Sequence, residues 1–536
     1  MKTALFLAAS IAICIGTAES QSFLQYYNGT ANTPGNIKFS VIQKESAGVL
    51  ILGSYYNSSS DNGIAVIKMS TSGTPSYYKI IKFPDNADTI VPTCIKHKGG
   101  VLYVGGYIYN SNSTQDNGFL LKYNISSNTL NWINIIQERS RVFDLKVTSD
   151  KLLICGEIYY AVTPDIEALL YSVNPTTGNF TQILQSHESN NAADTYLAMD
   201  ILDDTVFLTG RFELMNELDK MRSVLVKSEI NGNILASSYY LEDRDNSARM
   251  YGYDLVIDNN EVFLIATGDI NGTNTNEDNI VYKTDQSGNL QWSTQVDEPS
   301  VNDGLFSCIQ VYNHASLRDL IVWGSTFQSS ALGIAKLTSV DDAGFINWSN
   351  SYDGIYSHAP NSANSMIVIN DTIYAVGWFE KDDNIVGALL KVPASSGILE
   401  GCHDALDPSD VEREFEEEFS ITNSTNTHTS DNLEESISSL SLAQSLECPI
   451  GLKMNNSSIT KGIQYIGGNQ IIIQLNEYYY TDGIDYAIYN TIGQNILNNS
   501  LNENQIIDLN TLSKGIYFIG LIANGKIFYS DKIIIY

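Results

Sequence analysis

The sequence has 536 residues, which is long enough for more than one domain with a sizeable core. Asp and Glu outnumber Lys and Arg by 61 to 30, so the formal net charge is −31 and repulsion from phosphate backbones excludes a general nucleic-acid binder. The hydrophobic content of 43% excludes a disordered chain, and 32 Tyr with 38 Gly favour strands and turns over helices.

The N-terminal segment, residues 1–20, is typical of a secretory signal peptide. Lys2 supplies the positive charge, residues 4–15 the apolar stretch, and residues 16–20 a cleavage region of small residues. The alternative is a membrane anchor, but that would need about 20 apolar residues and this run is shorter. We therefore expect the mature protein to be exported and soluble.

Seven copies of one sequence unit follow, spaced by roughly 50–55 residues, a period in the range of propeller blades. Each copy has an apolar strand that ends in Gly, and these strands are residues 49–53, 101–105, 152–156, 206–210, 263–268, 320–324 and 373–377. A second apolar strand ends in Lys68, Lys122, Lys227, Lys283, Lys336 or Lys391, with Tyr171 in the remaining copy. We expect these lysines to be structural, with the aliphatic stem on the sheet and the ammonium group in solvent.

This repeat predicts an all-β fold, namely a seven-bladed β-propeller over residues 21–402 in which each blade is a four-stranded antiparallel sheet. A series of β-sandwiches or a β-solenoid is the alternative, and the blade-length period favours it less. The seventh copy lacks its last strand, and residues 22–29 have the pattern of that strand. We therefore expect the N-terminal strand to complete the seventh blade and to remove two exposed sheet edges.

The repeat skeleton, with Lys283, Gly288 and Trp292 in one copy, loosely resembles quinoprotein-type bacterial propeller repeats. A quinone site would need a metal ion and a dedicated set of carboxylates, and the sequence offers no such set. We therefore predict no cofactor.

The residues that follow each repeat glycine are the candidate binding residues. In a four-stranded blade, the loop between the second and third strands lies on the same face as the blade-to-blade loop, so these positions ring one mouth of the propeller. Aromatic faces beside amide and carboxylate groups suit a carbohydrate or a protein surface. The alternative is that they are variable solvent loops with Tyr at ordinary strand ends. The candidates are Tyr55, Tyr107, Tyr109, Glu157, Tyr159, Arg211, Asp269 and Trp378.

No catalytic constellation is evident. The six histidines are scattered without a zinc-binding HExxH pair, and a Gly-x-Ser-x-Gly nucleophile elbow is missing. We therefore predict a secreted or cell-surface binding protein with no catalytic residues. The alternatives are an extracellular enzyme that acts on glycans or peptides at the same mouth, and a structural component of adhesion or gliding.

Calcium is the one metal that the sequence suggests, and no metal site is predicted outright. Residues 269–278 are rich in the hard oxygen ligands that calcium prefers, although a polar hairpin loop is the simpler interpretation. The acidic run at residues 416–418 has the same two interpretations, and a solvated segment is favoured there.

Five cysteines remain once the signal peptide is removed, and no CxxC pair suggests zinc. Cys94, Cys155 and Cys308 lie in apolar strands, where a buried free thiol is the common state. Cys402 and Cys448 bracket the next segment and are a candidate disulfide. That segment, residues 403–454, is acidic and rich in Ser, Thr and Asn, which predicts a flexible, solvated spacer.

The last module, residues 455–536, alternates apolar and polar residues as strands do. Residues 488–494 and 507–517 and the terminal 532–535 resemble the type A C-terminal sorting domain of the type IX secretion system. The motif residues are Gly493, Asp508, Leu512, Gly515, Tyr517 and Lys532. The Tyr-Pro-Asn-Pro-like opening common in that family is missing here.

This resemblance implies an immunoglobulin-like β-sandwich that serves as an address for passage across the bacterial outer membrane. The partner that it implies is the type IX secretion machinery of that membrane, and the location is the outer cell surface or the medium. The alternative is an ordinary sandwich domain that binds a ligand of its own.

Overall fold

The fold was analysed in a computed structural model. The structure describes residues 22–29, 36–46, 48–57, 62–83, 89–109, 116–159, 166–187, 193–213, 221–240, 249–269, 278–297, 305–314, 317–326, 334–357, 365–381, 384–399, 404–405, 409–412, 417–418, 422–423, 430–432, 436–439, 442–446, 463–467, 470–473, 485–490, 495–500, 506–509, 512–523 and 526–535. These residues form strands and turns, and no helix occurs among them, so the predicted all-β fold class is confirmed. The predicted signal peptide lies outside the described residues.

The N-terminal part of the chain folds into four-stranded antiparallel units, which we call blades. Blade 1 contains β2 (Asn36–Glu45), β3 (Gly48–Tyr56), β4 (Asn62–Ser70) and β5 (Pro75–Lys82). Blade 2 contains β6 (Thr89–Lys98), β7 (Val101–Tyr109), β8 (Asn117–Asn124) and the first half of β9 (Thr129–Val147). Blade 3 contains the second half of β9 with β10 (Leu152–Tyr159), β11 (Ile166–Val173) and β12 (Phe180–His187).

Blades 4 to 6 repeat this antiparallel order of four strands. Blade 4 contains β13 (Thr195–Leu202), β14 (Thr205–Glu213), β15 (Met221–Glu229) and β16 (Ile234–Tyr240). Blade 5 contains β17 (Arg249–Asp258), β18 (Glu261–Asp269), β19 (Asp278–Asp285) and β20 (Leu290–Asp297). Blade 6 contains β21 (Phe306–His314), β22 (Leu317–Thr326), β23 (Ile334–Asp341) and β24 (Ile346–Ser357).

Blade 7 is built from both ends of this part of the chain. It contains β25 (Met366–Ile369), β26 (Thr372–Lys381), β27 (Asn384–Pro393) and the N-terminal strand β1 (Phe23–Gly29). In its register, Phe23 lies opposite Lys391 and Tyr27 lies opposite Gly387. The first strand of the chain therefore supplies the fourth strand of the last blade.

Blade 7 also packs directly on blade 1. One buried apolar cluster combines Tyr27 and Tyr374 from blade 7 with Phe39 and Ile51 from blade 1. Other clusters join consecutive blades in the same way. For example, Leu52 of blade 1 and Val104 of blade 2 belong to one cluster. Because both faces of a blade are covered by other blades, its strands bury nearly continuous apolar runs.

A tyrosine latch recurs between blades. A tyrosine on the outer strand of one blade donates its hydroxyl proton to a turn glycine carbonyl of the next blade; the pairs are Tyr27 to Gly73 at 2.6 Å, Tyr240 to Gly288 at 2.9 Å, and Tyr352 to Gly397. Each of these glycines has a positive φ, at 81°, 88° and 62°, which a residue without a side chain adopts at little cost. The contact between blades 7 and 1 therefore uses the same latch as two other blade contacts.

The repeat lysines depart from the prediction. Lys283, Lys336 and Lys391 are buried, so the expectation that their ammonium groups lie in solvent is wrong for these three. The Lys283 ammonium pairs with Asp342 of the next blade at 2.9 Å, and the Lys122 ammonium donates to the Pro175 carbonyl of the next blade at 2.7 Å. Lys283 and Lys122 therefore link neighbouring blades.

The acidic segment after blade 7 forms a belt, which we define as residues 404–446. Its short strands are β28 (Asp404–Ala405), β29 (Ser409–Glu412), β30 (Glu417–Glu418), β31 (Thr422–Asn423), β32 (Ser430–Asn432), β33 (Ser436–Ser439) and β34 (Leu442–Leu446). They pair in that order with the outer strands of blades 6, 5, 4, 3, 2, 1 and 7. The sequence predicts a solvated spacer here, and the structure differs because backbone pairing to a sheet edge needs no apolar side chains.

The three strand cysteines, Cys94, Cys155 and Cys308, are buried free thiols, as predicted. Burial raises the pKa of each well above the usual value, with nearby carboxylates adding to the shift. Cys402 and Cys448, the candidate disulfide, lie outside the described residues.

The C-terminal module has two sheets around one core. One sheet contains β35 (Ile463–Gly467), β36 (Gln470–Ile473) and β39 (Ile506–Asp508); the other contains β37 (Asp485–Asn490), β38 (Asn495–Ser500), β40 (Gly515–Ala523) and β41 (Lys526–Ile535). Ile471 and Ile507 from the first sheet pack with Ile488 and Ile519 from the second. This arrangement is a small β-sandwich.

Candidate functional site

One group of strand ends brings polar residues of blades 2, 3 and 4 together. Arg139 and Arg141 begin the inner strand of blade 3, Glu157 lies near the end of β10, and Arg211 lies near the end of β14. Asp116 directly precedes β8. Since neighbouring strands alternate in direction, these starts and ends lie on the same face, which we call the mouth.

These residues enclose a small cavity of about 80 Å³. Its lining is polar apart from one isoleucine, and consists of Asp116, Arg139, Ser140, Arg141, Glu157, Tyr159, Ile166 and Arg211. We call it the arginine pocket. Three of the eight arginines in this acidic chain line it, so its charge contrasts with that of the protein as a whole.

Arg141 is the central charge of the pocket. Its Nε donates to Oδ2 of Asp116 at 2.6 Å, and its Nη1 lies 3.4 Å from Oε1 of Glu157. Burial acts to lower the pKa of Arg141, but the attraction of Glu157 and Asp116 outweighs it and the pKa is raised. Arg141 therefore stays charged and is neutralised by two carboxylates on neighbouring blades.

Glu157 is held from two further sides. The hydroxyl of Thr195 donates to its Oε2 at 2.7 Å, and Nη2 of Arg211 lies 3.8 Å from the same oxygen. The Glu157 side chain is nearly buried, so these contacts fix it at the floor of the pocket. The remaining oxygen of Asp116, Oδ1, accepts no hydrogen bond from the described residues.

Each arginine of the pocket lies over a tyrosine ring. The guanidinium carbon is 4.6 Å from the ring centre of Tyr159 for Arg139, 5.1 Å from that of Tyr107 for Arg141, and 5.5 Å from that of Tyr251 for Arg211. Cation–π stacking of this kind holds the plane of a guanidinium while its N–H groups remain directed outward, in that plane. The three forks are therefore held in place before any ligand binds.

The structure brings together four of the eight predicted binding residues, namely Tyr107, Glu157, Tyr159 and Arg211. The other four lie elsewhere. Tyr109 ends β7 with 44% of its surface exposed, and Asp269 ends β18 opposite Arg249. The Trp378 ring lies under the Lys38 ammonium at 4.4 Å, between blades 7 and 1.

Tyr55 is a correction to the predicted set. Its side chain is 1% exposed and belongs to the apolar cluster between blades 7 and 1, so its ring cannot meet a ligand at the surface. Sequence reasoning also missed Asp116, Arg139 and Arg141. A signal for the two arginines existed, since they stand two residues apart in a chain with only eight.

Within the described ranges, no group of three or more His, Cys, Asp or Glu side chains could hold a metal ion. Most of the candidate calcium loop, residues 270–277, lies outside those ranges, as does Glu416. Glu417 and Glu418 form strand β30 of the belt.

The sorting-motif residues lie mainly along β39 and β40. Asp508 ends β39, and Gly515 begins β40. Leu512 and Tyr517 pack against the sandwich core, and the Tyr517 hydroxyl donates to the Ser513 carbonyl at 3.0 Å. The remaining two positions are Lys532, which lies opposite Phe518 in the register of β40 and β41, and Gly493, which is outside the described residues.

Residues 468–536 match the family described as the secretion system C-terminal sorting domain. This match bears out the resemblance found in the sequence, although it begins thirteen residues after the predicted start at 455. The protein is therefore exported to the outer cell surface or secreted, and its export partner is the type IX secretion machinery. Among the described residues, no helix is long and apolar enough to cross a membrane.

Solved structures of similar shape share little sequence with the chain. An α-L-arabinofuranosidase of Fusarium graminearum in complex with arabinobiose has 9% identity and a TM-score of 0.41, over 59% of this chain and 97% of that one. The endosialidase of phage phi92 has 8% identity and a TM-score of 0.39, over 83% and 82%. An α-L-arabinanase of Penicillium chrysogenum has 10% identity and a TM-score of 0.39, over 57% of this chain and 93% of that one. No curated protein matches the sequence.

Proposed function

We propose that this protein is an extracellular binding protein in which a seven-bladed propeller presents the arginine pocket to a carbohydrate or protein ligand. The observation that carries the proposal is convergence: charged and aromatic side chains from blades 2, 3 and 4 enclose one cavity on one face. Skeleton residues of the repeat hold the blades together, whereas these residues occur once each. Binding residues grafted on a repeated scaffold are the usual basis of propeller function.

Binding is favoured over catalysis by the contacts of the two carboxyl groups. Acid–base hydrolysis of a glycoside needs one carboxyl group that delivers a proton and a second that is free to act. Here Asp116 and Glu157 both contact the Arg141 guanidinium, so both are engaged in ion pairs that hold the pocket together. An enzyme acting on glycans or peptides at this mouth remains the alternative function.

The test is a binding screen with a built-in control. The purified mature protein is screened on glycan and peptide panels beside the Arg211→Gln variant, which should lose the ligand because one of the three guanidinium groups that line the pocket is removed. The matched control is Glu229→Gln, on the opposite face of blade 4. Saturable binding that Arg211→Gln alone reduces supports the proposal; product release with turnover supports the enzyme, and no binding on either panel contradicts both.

A further inference from the structure

We infer that the arginine pocket binds the acidic group of a sugar, so that the ligand class is an anionic polysaccharide that carries carboxylate groups. This inference rests on the proposed binding function and narrows its ligand. It is drawn from the donors that the pocket leaves unused, from its size, and from the two carboxylates beside the arginines.

The first observation is the number of guanidinium donors without a protein acceptor. Among the residues whose side chains the structure describes, Arg139 makes no ion pair, and its one marked contact is the Tyr159 ring. Nη2 of Arg211 lies 3.8 Å from Glu157, and the buried Nε of Arg211 has no hydrogen-bond partner in the part of the chain that the structure describes. A buried donor left without an acceptor costs free energy, so the pocket gains when an acceptor with several lone pairs enters.

The second observation is the sum of charges. Arg139, Arg141 and Arg211 contribute three positive charges, and Asp116 and Glu157 contribute two negative charges, so the lining carries one excess positive charge. The whole chain carries −31, so general attraction of anions to its surface is excluded. An anion that binds this protein therefore needs a local excess of positive charge. The pocket supplies one, and a guanidinium fork matches a carboxylate in bidentate geometry.

The third observation is the cavity's size. A volume of about 80 Å³ is small beside the roughly 300–1,000 Å³ of pockets that take a whole small-molecule ligand. We therefore expect the pocket to take a carboxylate and the carbon atom that bears it rather than a whole sugar ring. The rest of the ligand would then lie across the mouth, beside Tyr107 and Tyr159.

The carboxylates favour a sugar over an acidic peptide. Oδ1 of Asp116, which no described residue donates to, can accept a hydrogen bond from a ligand hydroxyl, whereas a second anion has no donor to offer it. A ligand that carries one acid group among several hydroxyls satisfies both kinds of lining group, because the acid meets the arginines and a hydroxyl donates to Asp116. An acidic peptide can reach Asp116 only with a backbone N–H or a further side chain, whereas a uronic acid carries hydroxyl donors on the ring that bears its acid.

The experiment measures affinity of the purified mature protein for small probes by calorimetry. Glucuronate should bind at least tenfold more tightly than glucose, which has the same ring hydroxyls without the acid. Arg139→Gln and Arg211→Gln should each weaken glucuronate binding about tenfold or more, and Arg139→Lys should fall between, because it keeps the charge and loses the fork. Lys151→Gln, at a turn on the opposite face, is the matched control and should leave affinity unchanged. Melting curves check that each variant is folded.

Two further probes separate the sources of the anion. Glucose 6-sulfate binding as tightly as glucuronate would reassign the pocket to sulfated glycans and overturn the carboxylate assignment. A glutamate-containing peptide binding more tightly than glucuronate would overturn the sugar assignment. Equal affinity for glucose and glucuronate, lost in Arg211→Gln, would overturn the anionic ligand while leaving the proposed binding function in place. No binding of any probe, with none on the wider panels, would sink both.

Discussion

Arg318 shows how much one side chain can hold together on the face opposite the mouth. Its Nη1 lies 3.0 Å from Asp258, and other nitrogens contact Glu261 and Asp342. Lys283 pairs with the same Glu261 and Asp342 at 3.0 and 2.9 Å. Two cations and three carboxylates therefore join blade 5 to blade 6, and the network is stronger than an isolated surface ion pair.

Replacing Arg318 by Gln should destabilise the protein at pH 7 by about 1–2 kcal/mol, because Asp258 loses this cation while Glu261 and Asp342 keep only Lys283. Burial raises the pKa of Asp342 and Glu261, but their hydrogen bonds to Arg318 and Lys283 outweigh it and both pKa values are lowered. Each lowered pKa stabilises the folded protein at pH values above the usual pKa, which is 3.8 for Asp342 and 4.5 for Glu261. This contribution is lost as the pH falls through the lower pKa of the folded state.

The measurement is urea unfolding of parent and Arg318→Gln proteins at pH 7 and pH 3. The difference in unfolding free energy should shrink at pH 3, since the carboxylates take up protons there. Arg318→Lys, which keeps the charge, should lose less at pH 7. A difference that is the same at both pH values would rule out the electrostatic explanation.

At this scale the sequence predicted some residues of the pocket and not others, for a physical reason. Tyr107, Glu157 and Arg211 follow a repeat glycine at a strand end, and the repeat itself shows that position. Tyr55 stands in the same register, yet both faces of a blade are buried, so alternation along the strand cannot tell a core side chain from a ligand-facing one. Arg139 and Arg141 belong to the next blade's inner strand, and only the fold shows that they reach the same cavity.

At the scale of elements, the tyrosine latch tests whether blade 7 and blade 1 meet as the other blades do. Burial raises the pKa of Tyr27, so its hydroxyl remains a donor to the Gly73 carbonyl at any ordinary pH. Tyr27→Phe should cost about 0.5–1.5 kcal/mol, because it leaves a buried carbonyl without that donor. Tyr240→Phe removes the matching bond to Gly288 and should cost about the same.

Thermal unfolding of the two variants beside the parent checks this prediction. Tyr78→Phe is the control, since that ring is on the surface with 36% exposure, and its melting temperature should match the parent's. If Tyr240→Phe were destabilising and Tyr27→Phe neutral, the contact between blades 7 and 1 would not be equivalent to the others.

The belt is an element that the sequence could not predict. Its residues are acidic and polar, and strands are recognised in a sequence by apolar alternation, which this segment lacks. What holds it is pairing between backbones, as in β29, where Val411 lies opposite Gln295. Backbone pairing does not depend on the type of side chain, so a polar segment that pairs with a sheet has the same composition as one that does not.

At the scale of the whole molecule, the belt pairs with part of the outer strand of each described blade, and exposed sheet edges promote association between chains. A chain that ends at residue 446 should therefore stay monomeric with a melting temperature near that of the parent. A chain that ends at residue 399 lacks the belt and should melt lower and self-associate. Light scattering and melting curves of the two truncations compare them directly, and identical behaviour would show that the belt has no part in stability.

The N-terminal strand joins the first residues of the fold to the last blade and to the belt, since β1 pairs with β27 on one side and β34 on the other. Deleting residues 22–29 removes two fully buried side chains, Leu24 and Tyr27, and exposes the edge of β27. Core truncations of this size cost about 2–5 kcal/mol each, so the deleted protein should melt far below the parent and aggregate.

Adding a synthetic peptide of residues 21–31 to that deleted protein should raise its melting temperature again, in a concentration-dependent way, because the peptide binds only the folded blade 7. A peptide with Leu24 and Tyr27 changed to Ser is the control and should have no effect. The exposed Tyr109→Ala variant should leave the melting temperature of the intact protein unchanged, which separates loss of closure from loss of a tyrosine at the mouth. A deleted protein that melts like the parent would show that blade 7 is stable with three strands and that the ring does not depend on its N-terminal strand.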